Sequence, residues 1–130
     1  MLFRSKRHGL VERSRTMGAT LHQKLAPFRD HPLVGDVRGR GLLAGIELVA
    51  DKSSKRAFPR AAKVAETMVD MALEEGLVVW PNVGQADGTV GDLVCLAPPF
   101  IVTDGELDEI LARFGRALDR TEAAVGRHRA

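Results

Sequence analysis

The side chains able to do covalent or acid–base work in this chain are few and scattered. There are five lysines (Lys6, Lys24, Lys52, Lys55 and Lys63), one cysteine (Cys95) and four histidines (His8, His22, His31 and His128). The histidines have no carboxylate or cysteine at ligand spacing, so no metal site is expected. Cys95 stands among Leu93, Val94 and Leu96, where apolar neighbours keep a thiol protonated and unreactive. His31, just before Pro32, is expected on an exposed loop. Arg38-Gly39-Arg40-Gly41 has the composition of an anion cradle, because guanidinium groups and free amides favour oxyanions. It is neither a dinucleotide fingerprint nor a P-loop, and it precedes a strand instead of a helix. The favoured reading is structural: the glycines permit a tight connection between strands, and Arg38 pairs with a nearby carboxylate. The basic ends Arg4-Ser5-Lys6-Arg7-His8 and Arg127-His128-Arg129 carry no interleaved aromatic residues, so solvated termini are expected and a nucleic-acid partner is not.

The elements that must position these residues follow from hydrophobic periodicity. The chain has 130 residues, 45 % of them apolar, which suits one globular domain. Nineteen cationic side chains, fourteen of them arginine, oppose seventeen acidic ones for a formal charge of +2. No apolar run approaches the roughly 20 residues of a membrane helix, so no membrane partner is expected. A single cysteine and a start without a secretory signal point to a soluble cytoplasmic protein.

Leu10, Met17, Leu21, Leu25 and Phe28 share one face of a helix that Pro27 and His31-Pro32 bring to an end. Leu33–Val37 and Leu42–Val49 read as strands flanking the Arg38–Gly41 turn. Pro59 opens a helix over Arg60–Glu75, closed by Gly76 as a left-handed cap. Leu77–Trp80 and Leu93–Ala97 read as two further strands, separated by the turn-rich residues 81–91. Thr103 and Glu106 form a capping box for a last helix carrying Leu107, Ile110, Leu111, Phe114 and Leu118. The order predicts an α+β fold, with a small, mainly antiparallel sheet and helices on one face.

Three stretches, in this order, resemble the C-terminal part of class III pyridoxal-phosphate-dependent aminotransferases: His31–Leu48, Glu75–Pro81, and Gly91–Phe100 with the capped helix behind it. The resemblance covers 10–125 as the C-terminal small domain of such an enzyme. It leaves 1–9 as a segment foreign to the family and 126–130 as a basic tail. It implies a fold-type-I transaminase, homodimeric, moving an amino group from an amine or amino acid to a keto acid or aldehyde. The residues seen would be the small domain, and the large domain that holds the cofactor would lie elsewhere.

Transamination needs a lysine that bonds the cofactor aldehyde, an acid against its ring nitrogen, and donors for its phosphate. No lysine here follows a buried strand as the family's lysine does, so no catalytic or cofactor-binding residue is assigned, and pyridoxal phosphate is not expected to attach covalently to this chain. In many members of the family an arginine near Trp80, or just after the third strand, binds a substrate carboxylate. Trp80 occupies the first of those places and Cys95 the second. Both departures count against an ornithine-type substrate and favour an apolar wall, which makes Trp80 the candidate substrate-pocket residue. The other reading of Trp80 is simple core. A different class of function also stays open, that of a non-catalytic α+β module for dimerisation or small-ligand binding. Apolar surface left bare without a large domain predicts poor solubility for the isolated chain.

Overall fold

The computed structural model describes residues 2–128. Met1, Arg129 and Ala130, which belong to the two terminal segments set apart by sequence, lie outside the described residues. Strand β1 (Val34–Arg40) turns into β2 (Leu43–Leu48), and β3 (Trp80–Val83) and β4 (Asp92–Leu96) complete a four-stranded antiparallel sheet of order β1-β2-β4-β3. Alternation along the strands puts Val37, Ala44, Ile46, Leu48, Val94 and Leu96 on one face, all buried. Three helices cover that face: α2 (Leu10–Leu25), α3 (Val64–Glu74) and α4 (Asp104–Val125). Their stripes, among them Leu21, Leu25, Met68, Leu107, Phe114 and Leu118, join the strands in one core. A short helix α1 (Leu2–Arg7) precedes α2, with the left-handed Gly9 between them. The α+β architecture read from the sequence is the one observed.

Four boundaries differ from expectation. Leu77–Val79 is not a strand; pairing starts at Trp80, opposite Cys95, and β4 stops at Leu96 ahead of Pro98-Pro99, so the register leaves Leu77 and Val78 no strand residue to face. Leu77 and Val79 still anchor in the core while Val78 points out. Arg60–Ala62 is a separate 3-10 turn, and α3 begins only at Val64 because Lys63 is left-handed (φ 49°). Helix α2 ends at Leu25, and Ala26–Asp30 tightens into 3-10 geometry around Pro27. The Arg38–Gly41 turn is also displaced: Arg38, Gly39 and Arg40 continue β1, opposite Gly45, Ala44 and Leu43, and the reversal is confined to Gly41-Leu42. Gly41 takes the positive φ (57°) that such a tight hairpin requires.

The capping box of α4 is present, with Thr103 Oγ1 accepting from the Glu106 N–H and Glu106 Oε2 accepting from the Thr103 N–H. Helix α3 has no such cap of its own. Asp92 of β4, 2 % exposed, supplies one across the sheet: its Oδ1 accepts from the Ala65 N–H at 2.9 Å, with Arg60 Nη1 3.9 Å away. Burial pushes the Asp92 carboxyl above its ordinary value, opposed by the Ala65 hydrogen bond and by the Arg60 charge. A folded value above the unfolded one means that Asp92 contributes stability present in full below the unfolded value and lost as pH rises through the folded value. Chemical unfolding of the native chain and of Asp92→Asn across the acid range should show the native chain's relative stability falling as pH rises, then levelling off. A difference that stays flat with pH would contradict this account.

Candidate functional site

Antiparallel pairing brings the end of β1, the start of β2, the end of β4 and the start of β3 to the same end of the sheet. The Gly41-Leu42 turn, the 97–103 loop and residues 77–79 therefore gather there. Helix α2 ties two of these together. The Arg13 guanidinium donates to the carbonyls of Phe100 (2.8 Å), Ile101 (3.4 Å) and Val102 (2.5 Å), holding the loop that opens α4. One turn further on, Gly18 meets the hairpin turn so closely that a Cβ added to it would lie 2.4 Å from the Gly41 carbonyl carbon. His22 Nε2 sits 3.1 Å from the Gly41 oxygen and completes the clamp.

Several large apolar side chains are exposed at this end. Leu43, Val78, Trp80, Phe100 and Ile101 all face outward, Trp80 with 74 % of its surface exposed. Trp80 is therefore not part of the core. A groove of about 390 Å³ runs beside them, lined by Leu77, Pro99, Ile101 and Ile110 together with the charged Glu106, Glu109 and Arg113. Apolar rims of this kind mark surfaces built to be covered or to hold a ligand.

The sheet face away from the helices carries the rest of the site. Register places Arg38, Gly45, Cys95 and Trp80 in one cross-strand row on that face. Arg38 Nη1 lies 2.8 Å from Asp36 Oδ2 and 2.9 Å from Glu47 Oε2. Its hydrogen bond is the main reason that the Asp36 carboxyl titrates below the usual carboxylate range; the Val37 N–H adds to the effect and partial burial opposes it. Gly39 passes so near Leu43 that a Cβ there would fall 2.0 Å from the Leu43 oxygen, so a side chain at this point would push the hairpin apart. Cys95 is half-buried beside Trp80.

The lysines lie elsewhere, held in structural roles. Lys24 Nζ bonds Asp108 Oδ1 at 2.6 Å with Asp104 at 3.5 Å, and the Asp108 bond is the largest cause raising its pKa. Lys52 bonds the carbonyls of Arg29 and His31, and Lys55 bonds that of Gly35. Lys6 and Lys63 are exposed on α1 and before α3. None lies in an enclosed apolar pocket, the setting that makes a lysine amine nucleophilic near neutral pH. Among the described residues no three histidine, cysteine or carboxylate groups could hold a metal ion. His31 departs from its expected exposure. Its Nδ1 accepts from the Leu33 N–H at 3.1 Å, and its Nε2 faces Asp119 at 3.2 Å and Glu122 at 3.5 Å. A lone histidine before a proline carried no sign of a partner some 88 residues away. Arg13 was missed for the same reason.

Helices on one face of a small antiparallel sheet, with an apolar rim built from loops at one end, define a domain of the kind that fold-type-I transaminases carry. The chain matches the aminotransferase class-III family over residues 2–118, and it belongs to that family. An uncharacterised aminotransferase of Schizosaccharomyces pombe is 43 % identical over 121 residues, covering 92 % of this chain and 26 % of its own length. Diaminobutyrate–2-oxoglutarate transaminase of Halomonas elongata is 38 % identical, covering 94 % of this chain and 25 % of its own. The crystal structure of the omega transaminase from Pseudomonas jessenii in complex with PMP superimposes with a TM-score of 0.79 at 38 % identity, over 96 % of this chain and 26 % of that one. The chain thus spans about a quarter of the length of the relatives it matches.

The Gly18–Gly41 contact gives a direct test of how the site is assembled. Gly18→Ala should lower stability by about 1–3 kcal/mol, since the new methyl meets backbone and not a side chain that could move. Gly105→Ala, with nothing within 4 Å of the added carbon, is the control expected to leave the melting temperature unchanged or slightly higher. Equal melting temperatures for the two variants would show that α2 is free to move off the turn.

Proposed function

We propose that this chain is the small domain of a pyridoxal-phosphate-dependent class III aminotransferase, working in the cytoplasm within a homodimer and closing over a substrate held by the large domain. The reaction is transfer of an amino group from an amine or amino acid to a keto acid or aldehyde. The observation that carries this reading is Trp80, the one tryptophan of the chain, exposed at the end of the sheet where the loops converge. When bound, the cofactor supplies the electron sink that the reaction requires. The residues of this chain do not fit covalent retention of it, because the amines of Lys24, Lys52 and Lys55 are tied to carboxylates or carbonyls and Lys6 and Lys63 are exposed. The lysine that does so comes from outside these residues, on the same polypeptide or another.

The contribution of this domain is shape and polarity. The indole of Trp80 offers an apolar surface that excludes water beside the substrate. The same cross-strand row has a single cation, Arg38, already bound to Asp36 and Glu47. A substrate carboxylate placed against Trp80 would lose its hydration without gaining a partner, which disfavours it. The wall therefore selects an amino donor with an apolar substituent on that side.

In the assembled enzyme, Trp80→Arg should raise kcat/KM for a donor bearing a carboxylate on that side and lower it for an aryl- or alkylamine, each roughly tenfold or more. Steady-state kinetics with both donors reads the ratio directly, and an unchanged ratio would remove Trp80 from the substrate wall. Separately, pyridoxal phosphate added to the purified chain and reduced with borohydride should leave no lysine stoichiometrically labelled. Full labelling of one lysine would overturn the assignment of the reactive amine to another part of the enzyme.

A further inference from the structure

A second concavity, of about 570 Å³, lies between the first turns of α2 and the β1–β2 hairpin, lined by Val11, Ser14, Arg15, Arg40 and Gly41. Two guanidinium-bearing residues from two different elements share it, and no carboxylate is among its lining residues. Arg40 has no carboxylate within ion-pairing distance among the described residues, whereas Arg13, Arg29, Arg38 and Arg60 are each committed to a carboxylate or a carbonyl. Among the described residues Arg15 is approached by Glu12 at 3.5 Å, an exposed contact of the weak i,i+3 kind. The backbone segments that carry the two arginines are held close to each other. Gly18 is pressed against Gly41, and Gly41 itself is so near Ser14 that a Cβ there would come within 2.9 Å of the hydroxyl.

Like charges that line one concavity are stabilised by an anion between them. A planar carboxylate is satisfied by one guanidinium fork, whereas two forks from different elements, with a hydroxyl beside them, suit the several oxygens of a tetrahedral dianion. We propose that Ser14, Arg15, Arg40 and the Gly41 backbone form a binding site for a phosphate-type dianion, either free phosphate or the phosphate group of a small molecule. The site lies across the full width of the sheet from Trp80, since Arg40 ends β1 and Trp80 begins β3 at the opposite edge. It stands or falls independently of the transaminase reading.

The test is titration of inorganic phosphate, and in a second arm glycerol phosphate, into the native chain, followed by amide NMR shifts and calorimetry at a pH where the probe is doubly charged. Saturable shifts at Ser14 and Gly41 are expected, with sodium chloride at equal ionic strength producing none. Arg40→Ala and Arg15→Ala should each weaken binding about tenfold or more, Arg40→Lys should weaken it less, and Arg56→Gln, which removes a charge from the remote 51–56 loop, should leave it unchanged. Tighter binding in the glycerol phosphate arm would identify a phosphate ester as the ligand, and equal or weaker binding would identify free phosphate. Because Arg15 and Arg40 are both exposed, the variants should keep the native spectrum away from the site. Absence of saturable shifts, shifts mapping elsewhere, or an equal loss in Arg56→Gln would overturn the site.

Discussion

The close approach of α2 to the β1–β2 hairpin is the contact on which the functional end of this domain depends. A helix can lie this near a turn only where side chains are missing from both, and Gly18 and Gly41 meet that condition at the one place required. Once the helix is seated there, Arg13 is within reach of three successive carbonyls of the 97–103 loop, and His22 of the Gly41 carbonyl. Two loops that begin far apart in sequence are thereby referred to a single rigid element. The Trp80 rim and the Arg15–Arg40 concavity both inherit their positions from this seat.

Helix α3 is tied to the sheet and to α4 by polar contacts. Asp92 caps α3 from a neighbouring strand, which lets that helix start immediately after the left-handed Lys63. At the other end of α3, Arg113 donates to the carbonyls of Glu75 and Gly76, and Arg116 and Arg120 bond the Glu75 carboxylate. The Arg116 bond is the first cause holding the Glu75 carboxyl below its usual range, followed by that of Arg120, with partial desolvation opposing both. The C-terminus of α3 is closed by its own left-handed Gly76 (φ 78°), as the sequence suggested, with the Gly76 and Leu77 N–H groups donating to the Leu73 and Ala72 carbonyls, whereas its N-terminus takes its cap from another element.

Local signals in the sequence were enough for the helices, the sheet and the α4 capping box, because each rests on periodicity or on residues three or four apart. The shift of β3 from Leu77–Trp80 to Trp80–Val83 was not legible, since four apolar residues in a row look like a strand whether or not a neighbour is there to pair with them. What decides is the stop at Pro98-Pro99 on β4, and the register that links it to Trp80 exists only in the folded sheet. The Arg38–Gly41 stretch misled in a similar way: two glycines suggest a turn, but Gly39 is there because the chain passes Leu43 closely, and only Gly41 reverses direction. At the site, Trp80 was singled out by its position after Gly76, whereas Arg13 and His31 act across 87 and 88 residues and left no local trace.

On the proposed reading, in which this domain supplies a wall and another part of the enzyme the reactive amine, the lysines of this chain serve as ties. Lys52 and Lys55 bond carbonyls at Arg29, His31 and Gly35, beside an outer strand whose ladder is already interrupted by a bulge between Val34 and Asp36. Lys24 joins α2 to the first turn of α4, where Asp104 and Asp108 also complement the helix dipole. An amine whose N–H groups are committed to carbonyls or carboxylates is anchored away from any carbonyl it would have to attack. The demands of holding an edge strand and of forming a covalent bond to a cofactor are therefore incompatible in one side chain. On the proposed reading, a domain that uses its amines as ties would still influence which substrate approaches, because that choice needs only a surface such as Trp80 and the absence of an uncommitted charge beside it.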